Sequence, residues 1–148
     1  MRVAVGSDER THLTDWVVKH LQSKGVAVEL YGALAPEYDP RWPEVARQVA
    51  ENVADGRCQQ GVLFCSTGTG VSIAANKVAG VRAALCADAE TAKGARLWND
   101  ANELCMSLRL TSPQLAGEIL DAWSSTSTID ETERENIDLV SRMDRVRK

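Results

Sequence analysis

Apolar and polar positions along this 148-residue chain follow two alternating periods. Short apolar runs bounded by turn residues occupy Arg2–Gly6, Val26–Leu30, Gly61–Cys65, Arg82–Cys86 and Glu103–Ser107, the length and composition of buried strands. Between them, apolar positions recur at helical spacing over Leu13–Lys24, Pro43–Asp55, Val71–Val78, Ala89–Leu97 and Pro113–Trp123. This strand–helix alternation predicts an α/β fold: a five-stranded parallel sheet covered by helices on both faces and joined by right-handed crossovers. No repeat, low-complexity stretch or linker interrupts it, so residues 1–148 read as one domain. After Trp123, the polar bridge SSTSTIDE leads into a charged helical tail, residues 130–148. Its apolar positions Ile137, Val140 and Met143 recur every three residues, a narrow stripe expected to pack on a partner subunit.

Composition narrows the function classes. With 44% hydrophobic residues the chain can bury a substantial core. A net charge of -4 without a basic stripe argues against nucleic acid as a partner. No apolar run approaches the roughly 20 residues of a membrane span, and acidic residues at positions 8 and 9 do not suit a secretory leader. A cytoplasmic protein is the expectation. Cysteines at 58, 65, 86 and 105 form no CxxC pair, and only two histidines are present, so a metal site is not expected.

Ligands of open α/β sheets bind beyond the carboxyl ends of the strands. Three polar segments are assigned to that rim: Gly6-Ser7-Asp8-Glu9, the stretch FCSTGTGVS from residue 64, and Trp98-Asn99-Asp100-Ala101-Asn102. In the second, Cys65 ends an apolar run, and Ser66, Thr67, Gly68, Thr69 and Gly70 form a small-residue turn entering a helix. Backbone amides in such a turn bind phosphate, carboxylate or a developing oxyanion, and a helix N-terminus favours the thiolate form of a nearby cysteine. The spacing is neither that of a P-loop nor that of a dinucleotide fingerprint. Plainer readings exist for each residue. Cys65 can be a buried strand-end thiol, Asp8 a helix cap, and Asn99 and Asn102 turn residues. Trp42, within Asp39-Pro40-Arg41-Trp42-Pro43, can be packing alone, and His12 and His20 surface or cap residues. If the first and third strands are neighbours, Asp8 and Cys65 share one rim.

Taken together and in order, the strand ending Gly-x-Asp, the Trp-Pro segment, CSTGTGVSIAANK, RAALC, NDAN and LDAW closely resemble the ribose-5-phosphate isomerase B family, which includes the galactose-6-phosphate isomerase subunits. The resemblance runs over about residues 2–123. It implies a Rossmann-like three-layer α/β/α sandwich, a homodimer or tetramer with sites completed by the neighbouring subunit, and no cofactor. The implied reaction is aldose–ketose isomerisation of a small sugar or sugar phosphate through a cis-enediolate. By resemblance Cys65 is the base, Thr67 assists proton movement at the substrate oxygens, and the amides of Ser66–Gly70 hold the enediolate oxygen. Asn99 binds that oxygen from the other side, and Asp8 holds a sugar hydroxyl. Preorganised amides at a developing oxyanion suit this chemistry.

The chain departs from the family's pattern where phosphate and ring opening are concerned. Glu9 stands where a phosphate-binding histidine is usual, and Trp98 where a ring-opening histidine is frequent. Arg134 matches the first of two tail arginines, but Asp138 falls at the second. Arg10, Arg41, Arg142 and Arg145 are available as replacement cations, and His12 or Asp100 as a replacement shuttle. Two readings stay open: a sugar-phosphate isomerase in which these cations took over phosphate binding, or an isomerase for a non-phosphorylated or otherwise modified sugar. A non-catalytic sugar-binding module is the reading from a different class.

Overall fold

The structure is a computed structural model and describes residues 1–146. The elements run β1 (Arg2–Ser7), α1 (His12–Ser23), β2 (Ala27–Gly32), α2 (Trp42–Ala54), β3 (Gln60–Cys65), α3 (Thr69–Ala75), β4 (Ala83–Leu85), α4 (Ala89–Asn99), β5 (Glu103–Ser107), α5 (Pro113–Ser125) and α6 (Arg134–Met143). The five strands form one all-parallel sheet in the order β2-β1-β3-β5-β4. Strand periodicity divides the core into two layers. Val62, Phe64, Leu104 and Met106 pack with residues of α1, α4 and α5. Leu63, Cys65 and Cys105 pack with residues of α2 and α3. The result is the Rossmann-like three-layer sandwich.

Differences from the predicted elements have local causes. The first helix is capped by Thr11, whose Oγ1 accepts from the Thr14 amide at 3.3 Å while the Thr14 hydroxyl accepts from the Thr11 amide at 2.9 Å. Asp8 is therefore not its cap. β4 has three residues rather than five because the Asn102 side chain takes up the backbone beside it: it accepts from the Arg82 amide at 2.8 Å and donates to the Gly80 carbonyl at 2.9 Å. α3 begins at Thr69 and stops at Ala75, shorter than the predicted run to Val78. The tail helix α6 rests on α4 of its own chain through the buried Ile137, and Asp144 accepts from the Gly80 amide at 2.9 Å. Val140 and Met143 remain exposed. Arg147 and Lys148, the end of the predicted tail, lie outside the described residues. Among the described residues, no helix is long and apolar enough to cross a membrane.

One core position breaks the rule that buried carboxylates are paired. Glu103, at the start of β5, is fully buried, and neither carboxylate oxygen has a hydrogen-bond partner among the described residues. Its side chain lies over Gly61, where a Cβ would come within 3.0 Å of it. Burial raises its pKa to about 8, so the group folds as the neutral acid. An unfolded chain releases that proton near pH 4.5, so between the two values the folded state holds more protons than the unfolded one. Stability should therefore fall as pH rises from about 4.5 through about 8 and level off above. Glu103→Gln should flatten this part of the profile, measured as Tm or urea midpoint against pH; an unchanged slope would show that Glu103 is not its source.

Candidate functional site

The parallel register sets the site. Ser7 of β1 lies opposite Phe64 of β3, and Cys65 lies opposite Ser107 of β5. One step past the first pair, Asp8 and Cys65 emerge side by side on the carboxyl rim, as their sequence positions predict. Ser7 is buried and holds the turn that carries Asp8 and Glu9: its hydroxyl donates to the Glu9 carbonyl at 2.6 Å and accepts from the Glu9 amide at 3.2 Å. Asp8 Oδ1 is itself buried without a hydrogen-bond partner among the described residues. Burial raises the Asp8 carboxyl above the usual range; a backbone hydrogen bond opposes this and the charge of Glu9 adds to it. Cys65 is a buried free thiol on the α2/α3 side of the sheet.

The turn after Cys65 is fastened to the end of β5. The Cys65 carbonyl accepts from the Leu108 amide at 3.0 Å. The Ser66 carbonyl accepts from the Arg109 amide at 3.1 Å and the Ser107 hydroxyl at 2.9 Å. In a trans peptide C=O and N–H point opposite ways, and no peptide bond among the described residues is cis. Two successive carbonyls aimed at β5 therefore aim the Ser66 and Thr67 amides away from it, on the side where β1 ends in Asp8. Successive N–H groups turned the same way form an anion-binding concavity. Gly68 follows at φ 77°, and the Thr67 and Thr69 hydroxyls bond each other at 2.7 Å. Trp42, at the start of α2, lays its ring against Gly70, where a Cβ would meet the indole at 3.0 Å. It packs, as the plainer reading had it, and it forms a wall of the loop.

The third segment assigned to this rim is elsewhere. Helices of a parallel α/β sheet run opposite to the strands, so Trp98 and Asn99 at the end of α4 precede β5 and sit at its amino end. Glu103 pairs with Gly61 and Ser107 with Cys65, which puts these levels about 13 Å apart along the strand. Trp98 and Asn99 line a groove of about 430 Å³ together with Arg82, Asn136, Ile137 and Val140. Trp98 is half exposed, its indole lying over Gly94, where a Cβ would come within 2.7 Å of it. Arg134, at the start of α6, belongs to the same side and pairs with Glu131 at 3.0 Å. One chain thus brings Asp8, Glu9, Trp42, Cys65, Ser66, Thr67, Gly68, Thr69 and Gly70 together and keeps Trp98, Asn99 and Arg134 apart from them.

Of the other candidates, Arg10 pairs with Asp15 at 2.9 Å and Arg41 with Asp39 at 2.5 Å. Asp100 is a left-handed helix C-cap paired with Arg82. His20 stacks on Trp16 and approaches Asp121 at 3.3 Å. Arg109 escaped the sequence reading: it is exposed just past β5 with its amide on the Ser66 carbonyl and has no ion pair among the described residues. Its only sequence signal was a cation two residues after a strand, which ordinary surface arginines share.

Known proteins share this fold. The family model described as Ribose/Galactose Isomerase matches residues 3–140. A D-erythrulose-4-phosphate isomerase of Pectobacterium atrosepticum is 39% identical over 124 residues, 83% of this chain and 82% of that protein. Ribose-5-phosphate isomerase B of Escherichia coli is 43% identical over 107 residues, 72% and 71% of the two chains. The structure of Clostridium thermocellum ribose-5-phosphate isomerase B superposes with a TM-score of 0.90 at 32% identity, covering 98% of each chain.

The loop's shape rests on Gly68. A Cβ there would stand 2.6 Å from Leu85 and 3.0 Å from the Met106 backbone, at a φ that side chains rarely adopt. Gly68→Ala should cost about 1–3 kcal/mol and lower Tm by several degrees. A Tm equal to wild type by calorimetry would show that the loop does not need this conformation.

Proposed function

Because the chain belongs to the ribose/galactose isomerase family, and is accordingly an aldose–ketose isomerase, we propose that the loop from Cys65 to Gly70 is its reaction centre. The observation that carries this is a thiol at the end of β3 beside two amides aimed the same way. Removing a proton from the carbon next to a carbonyl puts negative charge on the carbonyl oxygen. Cys65 takes that proton from C2 of the open-chain aldose, the C1–C2 bond gains double-bond character, and O1 becomes the oxyanion. The amides of Ser66–Gly70 hold O1, in the role that usually contributes most to such reactions. Thr67 moves the hydroxyl proton between the two oxygens, Asp8 holds a sugar hydroxyl, and return of the proton to C1 gives the ketose.

The residues on the far edge of the sheet complete the centre from a second copy. Trp98, Asn99 and Arg134 of one subunit face the Cys65 loop of its neighbour, and exposed Val140 and Met143 of the tail pack against it. Both copies give and receive the same patch, as a two-fold dimer requires. The sugar is a four-carbon one carrying its anion at C4. Ribose 5-phosphate keeps a free O4 and closes a five-membered ring, so its isomerase needs an acid and base at the ring oxygen. Indole donates one hydrogen bond and does not titrate near neutral pH, so Trp98 cannot fill that role. A tetrose esterified at O4 cannot close the ring and needs no opener. The D-erythrulose-4-phosphate isomerase relative supports this choice, and Arg109 at the rim supplies a cation for the terminal anion, offsetting Glu9.

Three measurements test this reading. Cys65→Ala should fold normally and lose at least about a hundredfold in turnover, the scale of a positioned base; near wild-type turnover would sink the assignment. Mixing inactive Cys65→Ala with inactive Asn99→Ala after unfolding and refolding should restore about a quarter of wild-type activity, from random two-fold pairing. No recovery would mean that each chain holds a whole site. Wild type should convert D-erythrose 4-phosphate with a kcat/KM at least about tenfold above that for ribose 5-phosphate, and Trp98→His should narrow the gap. Efficient conversion of ribose 5-phosphate by wild type would refute the four-carbon assignment.

A further inference from the structure

We infer that Ser107 is a positioning residue for the reaction, aiming the Ser66–Thr67 peptide at the enediolate oxygen; this rests on the reading of the Cys65 loop as the reaction centre. Ser107 is buried at the last position of β5, directly across from Cys65 in the register. Its side chain lies on the same face of the sheet as that of Cys65. The hydroxyl makes two hydrogen bonds: it donates to the Ser66 carbonyl at 2.9 Å and accepts from the Leu110 amide at 3.2 Å. It thereby ties together two irregular segments, the turn after β3 and the turn after β5, neither of which is held by the sheet ladder.

The donated bond controls a direction. Rotation of the Ser66–Thr67 peptide plane would carry the Ser66 carbonyl off β5 and swing the Thr67 amide with it. The Arg109 amide also holds that carbonyl at 3.1 Å, but Arg109 sits in the turn that Ser107 itself anchors through Leu110. Without the hydroxyl the Ser66 carbonyl would keep one donor only and its plane could rock about that bond. This is so even though the turn is also held by the Leu108 amide on the Cys65 carbonyl at 3.0 Å and the Thr111 amide on the Ser107 carbonyl at 3.2 Å. With the hydroxyl in place the same carbonyl has two donors from two directions, and the Thr67 amide is fixed before any charge develops. Oxyanion donors that need no reorganisation at the moment of reaction are the effective ones.

Such a role predicts a loss confined to the transition state. Ser107→Ala should reduce kcat on D-erythrose 4-phosphate, or on ribose 5-phosphate if that is the better substrate, by about tenfold, with KM changed less than about twofold. Inhibition by 3-phosphoglycerohydroxamic acid, whose hydroxamate nitrogen and carbonyl carbon stand for C1 and C2 of the planar enediolate of a tetrose 4-phosphate, should weaken in proportion to kcat. Ser107→Thr, which keeps the hydroxyl, should retain most of the activity. Hydrogen exchange at the Arg109 amide, which donates to the Ser66 carbonyl, needs no substrate and should accelerate in Ser107→Ala while amides of β1 and β3 stay protected. Full kcat in Ser107→Ala, losses in Ser107→Thr as large as those in Ser107→Ala, or unchanged exchange at the Arg109 amide would each overturn the inference. These outcomes are independent of the base assignment, which fails instead if Cys65→Ala stays active while Ser107→Ala behaves as expected.

Discussion

The proposed reaction centre depends on β3 lying between β1 and β5 in parallel register. A parallel ladder brings equivalent strand ends to one level, so the residues that follow β1, β3 and β5 meet without long side chains reaching across space. Asp8 arrives from one side and Ser107 from the other, with Cys65 between them. The same ladder ends just where the chain must turn into α3, and there the Cys65 and Ser66 carbonyls find their donors in the Leu108 and Arg109 amides. A sheet edge that runs out of regular pairing thus becomes a pair of outward amides. The anion-binding geometry comes from how the sheet stops, and cationic side chains have no part in it.

The antiparallel course of helices and strands imposes the complementary constraint. Whatever follows a helix lies at the amino edge, and no rearrangement of the loop can bring Asn99 to the Cys65 level within one chain. This decides which parts of the molecule the sequence made legible. The strand runs are apolar because both faces are covered, so their positions were readable to within one or two residues, and β5 at Glu103–Ser107 was read without error. The shared rim of Asp8 and Cys65 followed from the alternation on the condition that β1 and β3 are neighbours, which the strand order meets. The 98–102 segment was misplaced because polar turn residues look the same at either edge of a sheet; only the direction of the preceding helix separates them. Ser107 and Arg109 were invisible for another reason. Their roles lie in backbone partners chosen by the register, and a serine ending a strand carries no pattern of its own.

Glu103 shows where local reading and global fold disagree. By pattern it is the polar first residue of an apolar run, the kind that normally faces solvent at a strand mouth. The register places it over Gly61 and beneath α2 and α3, and the core closes on it without offering a donor. The carboxyl tolerates this by keeping its proton, which is cheaper than burying a charge. Stability is lost there without any contact to the reaction centre.

The two half-exposed tryptophans carry the final step. Each indole rests on a glycine, Trp42 on Gly70 and Trp98 on Gly94, so each is held by close backbone approach rather than by its own hydrogen bond. Flat apolar walls of this kind restrict volume and exclude water, but they neither give nor take protons. In a centre where the oxyanion is held by dipoles, the walls and the terminal-anion cations can change without altering the chemistry at C1 and C2. That separation accounts for a chain that keeps CSTGTG intact while placing Glu9, Trp98 and Asp138 where the family's pattern has cations or titratable rings. On the proposed mechanism the proton-transfer machinery is fixed by the sheet, and the length and charge of the sugar are set by side chains around it.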